Sequence, residues 1–377
     1  MTKIQATLLA VTAAGALTAQ NPGAWHRWAV RTPAAADIER MAGDVITRQR
    51  NVGLAIAVVH RGRLIYSAGH GYADLEHAVP VARTTRFQIA SVTKAFTGLA
   101  LLRLWDAGRV DLDAPIQQYV PDFPRHDSGI VTLRLLQAHW GGIRGYRAGE
   151  RDAAFFDRHF DRANEALSVF SADAYADAPG RRPVYSSYGF NLIAAALEGV
   201  TGASFSDILR REVIGPLRLS HTQPGDSRLP VAGRARSYVI RADTVLRGRD
   251  FDYSYNPGGG NMLSTAEDVA AMGSALLRPG TLSARARALL LEPLRLNGSA
   301  GFMAGFGWFT AQDSSARRVL FTTGQIEAFQ AGITVWPEHD LAVAITANTE
   351  GAGFQGAELR LQLPRRIGAL ILGRSAR

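Results

Sequence analysis

The chain has 377 residues, 47% hydrophobic and 20% charged, with a net charge of +9 and no cysteine. That composition is globular and excludes a disordered or fibrous chain. The missing thiols exclude disulfides, a catalytic cysteine and thiolate metal sites. The basic excess is arginine scattered through every segment, with no basic stripe interleaved with aromatics, so nucleic acid is not an expected partner.

Residues 1–19 carry one charge, Lys3, then an apolar run from Ile4 to Ala14 and a string of small residues. The pattern reads as a secretory signal, cut at Ala14-Gly15-Ala16 or after Ala19, and the expected location is secreted or periplasmic. No later stretch of about 18 apolar residues occurs, so no internal membrane span is expected. Helical periodicity follows over residues 37–50. Residues 53–60 form a strand run, Arg61-Gly62 a turn, and residues 63–68 its partner strand. A helix is expected from Ser91 through Phe96, Leu99, Leu102 and Trp105, with Gly108 as its C′ residue. Pro115, Pro121 and Pro124 then break the chain into loops.

Residues 133–139, 164–170, 189–201 and 205–213 read as helices. Ser264-Thr265-Ala266-Glu267 reads as a capping box that opens a helix running to Leu277. After Phe306 the period returns to two: residues 318–323, 331–336 and 341–347 are expected strands, followed by a helix over 358–372. The fold class is therefore α+β. Residues 37–115 and 255–377 are expected to make an antiparallel sheet flanked by terminal helices, and residues 116–254 an inserted, mostly helical lobe.

The 42 basic residues comprise 40 arginines and two lysines, Lys3 and Lys94. Arginine stays protonated at any usable pH, whereas a desolvated lysine can lose its proton and act as a base. Lys94 closes Ser91-Val92-Thr93-Lys94, the Ser-x-x-Lys spacing in which a lysine activates a serine nucleophile. Residues three apart share a helix face, so the two side chains can meet. Burial among apolar neighbours would lower the amine's pKa.

Further motifs follow in order: Phe87-Gln88-Ile89-Ala90 ahead of Ser91; Leu112-Asp113-Ala114-Pro115-Ile116; Leu135-Leu136-Gln137-Ala138-His139-Trp140-Gly141-Gly142-Ile143; Tyr185-Ser186-Ser187-Tyr188-Gly189; Gly258-Gly259-Gly260-Asn261-Met262-Leu263-Ser264-Thr265-Ala266; and Thr322-Thr323-Gly324. On these residues the chain resembles the serine β-lactamase superfamily, in its class C and penicillin-binding-protein-like branch. It is most similar there to the mitochondrial serine β-lactamase-like group and its bacterial relatives. The resemblance runs from about Gly53 to Asn348. It implies a β-lactamase/transpeptidase-like fold and hydrolysis of an ester, peptide or amide through an acyl-enzyme on Ser91. It also implies Lys94 as base, Tyr185 as second general acid/base, and an oxyanion hole from the backbone N–H groups of Ser91 and Gln325.

Two positions depart from the family's pattern. Ser187 stands where the family's Tyr-x-Asn has asparagine, and Thr322 opens a motif that usually begins with lysine or histidine. With Thr323 and Gly324, these are the expected substrate-contacting residues. The lost cation disfavours a substrate carboxylate, and hence efficient β-lactamase or D-Ala-D-Ala carboxypeptidase action. Arg318, on the same strand, is too far away to replace it. An alternative reading is a catalytically weak, penicillin-binding-like protein that binds ligands or assembles as a structural oligomer.

Gly258-Gly259-Gly260 lacks the Gly-Lys-Ser/Thr of a phosphate loop and reads as a turn lining the site entrance. The histidines show no metal-ligand spacing, so neither a metal nor an organic cofactor is expected. His139 is expected either to tether a loop near the site or to be an ordinary core histidine, the more frequent role of such a residue. The expected partner is a small-molecule or peptide substrate.

Overall fold

The computed structural model describes residues 11–12, 25–147, 150, 158–296, 303–350 and 357–375. The leader expected over residues 1–19 lies outside them but for Val11–Thr12, a two-residue strand beside Thr244 and Val245.

The order of elements begins β1 (Trp25–Val30), α1 (Ala35–Gln49), β2 (Gly53–His60), β3 (Arg63–Asp74) and α2 (Thr93–Asp106). It continues with α3 (Leu133–Gln137), α4 (Ser187–Thr201) and α5 (Ala266–Ala275). Last come β4 (Met303–Gly305), β5 (Trp308–Gln312), β6 (Arg318–Ile326), β7 (Phe329–Trp336), β8 (Leu341–Ala347) and α6 (Leu363–Ser375). The main sheet runs β4-β5-β6-β7-β8-β2-β3-β1, with every neighbouring pair antiparallel. Strands from both ends of the chain thus meet at the β8–β2 junction, where Ala344 faces Ala57 and Ile345 faces Ile56.

Side chains alternate across a sheet, so each strand feeds two layers. Leu54, Ile56 and Val58 join Ile38, Ala42 and Val45 of α1 and Leu363, Ile367 and Ile371 of α6 in one buried cluster. Ala55, Ala57 and Val59 belong to the other cluster, with Val269 and Met272 of α5 and the apolar residues of α2 and α4. With both faces covered, β2 and β8 are buried along nearly their whole length, which is why their sequences read as continuous apolar runs. Among the described residues no single helix is long and apolar enough to cross a membrane.

Several expected boundaries move. β1 extends the sheet upstream of residue 37, because residues 25–30 pair with β3. β3 itself runs on to Asp74 rather than stopping at 68. α2 begins at Thr93, not Ser91: residues Ala90–Val92 form a separate 3₁₀ turn entered through Ala90 at φ 47°. The expected helix over 164–170 is an α-helix at Ala163–Ala166 followed by a 3₁₀ turn at Leu167–Val169. Residues 205–213 and 358–372 each include a π-helical turn, at Arg210–Ile214 and Glu358–Gln362.

The expected capping box is replaced by a single N-cap bond one residue on, the Asp268 carboxylate accepting from His221 N–H and Thr222 instead. Thr265 is the N-cap of α5 and accepts from Asp268 N–H at 3.1 Å. Ser264 ends a short strand, and Glu267 turns away to Arg83 and Ser67. The segment expected to be helical also contains a hairpin, Tyr238–Arg241 with Thr244–Arg247.

Candidate active site

The 3₁₀ turn that carries Ser91 is wedged between the start of α2 and strand β6. Ala90 lies in the left-handed region, a strained conformation for a residue with a Cβ. Gly324 on β6 backs directly onto this turn. A Cβ at Gly324 would lie 2.3 Å from Ile89 O and 2.8 Å from Ser91 N, so only glycine admits this contact. The β4–β5 turn supports the turn's other end. Phe306 and Gly307 both take positive φ, and a Cβ on Gly307 would lie 2.3 Å from the carbonyl carbon of Lys94.

Lys94 is 1% exposed. Its Nζ lies 3.0 Å from Ser91 Oγ, 2.9 Å from Ser187 Oγ and 2.7 Å from Gly259 O. Burial holds its pKa below the ordinary lysine range, against an opposing pull from the Tyr185 phenol. The three contacts suit a neutral amine. It donates one N–H to the Gly259 carbonyl and one to Ser187 Oγ, which leaves its lone pair for the Ser91 hydroxyl proton.

The glycine run is positioned by side chains from two elements, α2 and the short strand Phe87–Gln88. Thr97 Oγ1 donates to Gly258 O at 2.7 Å, Lys94 to Gly259 O, and Gln88 Nε2 to Gly260 O at 3.2 Å. A Cβ at Gly259 would lie 2.2 Å from Asn256 Oδ1 and 2.8 Å from Ser187 O. Gly259 O is thus a site group that the sequence reading did not identify. It is a backbone acceptor, and the triple glycine was its only trace.

Tyr185 and Ser187 enter from the N-terminus of α4. Ser186 is its N-cap, accepting from Gly189 N–H at 3.0 Å and donating to Arg144 O at 2.5 Å. Ser187 is consequently buried, with its hydroxyl on Lys94 rather than in the open cleft where substrate contact was expected. Tyr185 is 43% exposed, and its ring centroid lies 5.0 Å from Lys94 Nζ. His139 stacks on it at 4.4 Å.

Backbone alternation in β6 orients the remaining expected residues. A two-residue turn, Glu327-Ala328, joins Ile326 to Phe329, so that pair exchanges both hydrogen bonds. Counting back, Gly324 and Thr322 also bond β7, while Gln325 and Thr323 aim their N–H and C=O groups off the opposite edge. On that edge the register of β5 reaches only to Phe309 opposite Phe321. The Gln325 N–H therefore points past the end of β5, beside the Ser91 turn. Gly324, next to Gln325, is the β6 residue that backs onto Ser91 N.

Thr322 is buried and shares Gly324's face. Arg318 pairs with Glu338 at 2.5 Å. Arg360 donates to Gln325 Oε1 from the sheet's other face, beside α6. The structure therefore brings Ser91, Lys94, Tyr185, Ser187 and the Gly324–Gln325 strand end together, and puts no cation at position 322.

The Beta-lactamase family model matches residues 35–363. Serine beta-lactamase-like protein LACTB, mitochondrial, from Homo sapiens is 28% identical over 291 residues, which is 60% of this chain and 53% of that protein. The chain thus spans about half of that relative's length. The octameric penicillin-binding protein homologue from Pyrococcus abyssi superposes with a TM-score of 0.77 at 21% identity, over 90% of this chain and 77% of that one. The D-amino acid amidase from Ochrobactrum anthropi SV3 gives a TM-score of 0.77 at 25% identity, over 90% and 99%.

Proposed function

The chain belongs to the β-lactamase family, and from that premise we propose that it is a serine hydrolase whose acyl-enzyme forms on Ser91. Its substrates are esters, peptides or amides in preference to β-lactams. The observation that carries this reading is the buried lysine amine 3.0 Å from the Ser91 hydroxyl oxygen.

Neutral Lys94 takes the Ser91 proton as Oγ attacks the substrate carbonyl carbon. Negative charge collects on the carbonyl oxygen, and the N–H groups of Ser91 and Gln325 receive it. Each such donor is worth about 3 kcal/mol of transition-state stabilisation. Collapse of the intermediate breaks the bond to the leaving group, which Tyr185 protonates as general acid. Lys94 returns a proton to the tyrosine. Water then attacks the acyl carbon, its proton passing to the same base pair, and the carboxylic acid leaves Ser91 with its hydroxyl restored.

The amidase among the structural neighbours supports amide-type chemistry. The uncharged Thr322 argues against substrates gripped by a carboxylate at that position. A leader over residues 1–19 would place this activity outside the cytoplasm.

A fluorophosphonate probe with intact-mass detection tests the reading. Stoichiometric labelling lost in Ser91→Ala, with turnover of p-nitrophenyl esters lost in the same variant, supports it. Folded protein that neither labels nor turns over would instead favour a ligand-binding role.

A further inference from the structure

Tyr185 is 43% exposed, with one ring face towards Phe309 at 6.3 Å, and one residue, His139, bonds the backbone N–H of both its following neighbour and its preceding one. The backbone carbonyl of His139 accepts the Val184 N–H at 2.7 Å. The His139 ring Nδ1 accepts the Ser186 N–H at 3.1 Å. Between those two bonds the imidazole lies against the Tyr185 ring, centroids 4.4 Å apart and planes at 31°.

His139 is itself fixed. It is buried, takes a left-handed backbone at φ 63°, and its ring also contacts Phe190 of α4 at 5.1 Å. We propose that His139 is the positioning residue for Tyr185: a clamp that grips both chain neighbours of the tyrosine and its ring, and so aims the phenol at Lys94. This rests on the reading of Tyr185 as the general acid.

The clamp needs an unprotonated Nδ1, because the Ser186 N–H can only donate. Burial, aided by the nearby Lys94 charge, lowers the His139 pKa to about 3, so the ring is neutral at ordinary pH with its proton on Nε2. Leaving a buried N–H without an acceptor costs about 1–3 kcal/mol, enough to let residues 184–186 shift. A misplacement of about 1 Å at a catalytic group can cost on the order of 10²-fold in rate.

The test is a double-mutant cycle on ester hydrolysis. His139→Phe keeps a ring but removes the acceptor. His139→Asn puts an amide oxygen near the place of Nδ1 and tolerates the left-handed backbone. His139→Gln carries its amide towards the place of Nε2 instead. His139→Phe is expected to lower kcat by roughly 10- to 100-fold with KM changed less than about twofold. His139→Asn is expected to recover most of that loss and His139→Gln little of it. In a Tyr185→Phe background, His139→Phe is expected to add less than about a twofold effect.

A merely structural role would act in full in both backgrounds; that result overturns the clamp and leaves the phenol's role standing. Full activity in Tyr185→Phe alone overturns the role of the phenol and the clamp with it. Should His139→Phe not fold, the Asn and Gln variants decide, and equal activity in those two rejects the proposal.

Discussion

Ser187 Oγ sits 2.9 Å from Lys94 Nζ, in the place where the family's pattern has asparagine. The shorter side chain leaves the amine with a hydroxyl and a carbonyl, Gly259 O, as fixed partners. Neither is ionic, and no carboxylate among the described residues is bonded to the amine. Burial disfavours a proton on the amine and only the Tyr185 phenol opposes it, which is the balance a base at this position requires.

Lys94→Arg should therefore abolish turnover without abolishing the fold. Guanidinium keeps its proton, and its planar fork cannot reproduce the three contacts of Nζ. We expect kcat/KM for a p-nitrophenyl ester to fall by about 10³-fold or more, with far-UV circular dichroism retained. Activity within tenfold of the parent would remove the base role.

The pH dependence has a definite sign. In the proposed mechanism Lys94 works unprotonated, and burial lowers its pKa from 10.5. The acid limb of kcat/KM therefore falls as pH drops through the pKa of the folded lysine, which lies below 10.5. A profile whose rate rises on acidification contradicts the assignment.

Stability also depends on pH, through His139. Its pKa is 6.5 in the unfolded chain and about 3 when folded. Between those values the unfolded state binds the proton and the native state does not, so stability falls as pH drops, by about 1.4 kcal/mol per pH unit. Urea titrations across that range should show the slope in the parent and a shallower one in His139→Asn. Equal slopes would mean that the ring is protonated in the fold.

Gly324→Ala tests the contact between β6 and the nucleophile turn. Its Cβ would need the space held by Ile89 O and Ser91 N. The turn must move, and with it both oxyanion donors. We expect a loss in kcat of roughly 10- to 10³-fold, larger than any change in KM. Unchanged kcat would show that the turn is not seated as described.

Thr322→Lys would return the missing cation to the face that carries Gly324. Acylation by a penicillin, read as the mass of the adduct on Ser91, should become about tenfold faster or more. Neutral ester hydrolysis should change far less. Equal effects on both substrates would separate the charge at 322 from substrate choice.

The long strands and helices were legible because each is an extended apolar segment: residues 341–347 and 53–60 as unbroken strand runs, 189–201 as a helix buried on all sides as far as Glu198. What escaped lacks such a signal. Strand β1 is half exposed and pairs on one side only. The hairpin at residues 238–247 turns through Ala242, at φ 50°, and Asp243, with no glycine to announce it. The capping frame was ambiguous because Ser264-x-x-Glu267 and Thr265-x-x-Asp268 overlap, and long-range partners select the second: Arg83 and Ser67 take Glu267, and strand pairing takes Ser264.

At the site, Ser-x-x-Lys and the tyrosine motif were readable because side-chain type carries them. The carbonyl of Gly259 and the outward amide of Gln325 are main-chain groups, set by strand register and by a glycine turn that any sequence of small residues could imitate. The twin bonds from His139 to residues 184 and 186 join segments far apart in sequence, and no local pattern encodes them.

The dependence of the serine turn on Gly324 also orders events during synthesis. A ribosome emits the nucleophile early, but the wall it leans on is translated far downstream. On the proposed mechanism, the site is complete only once the last strands have closed the sheet against the serine turn.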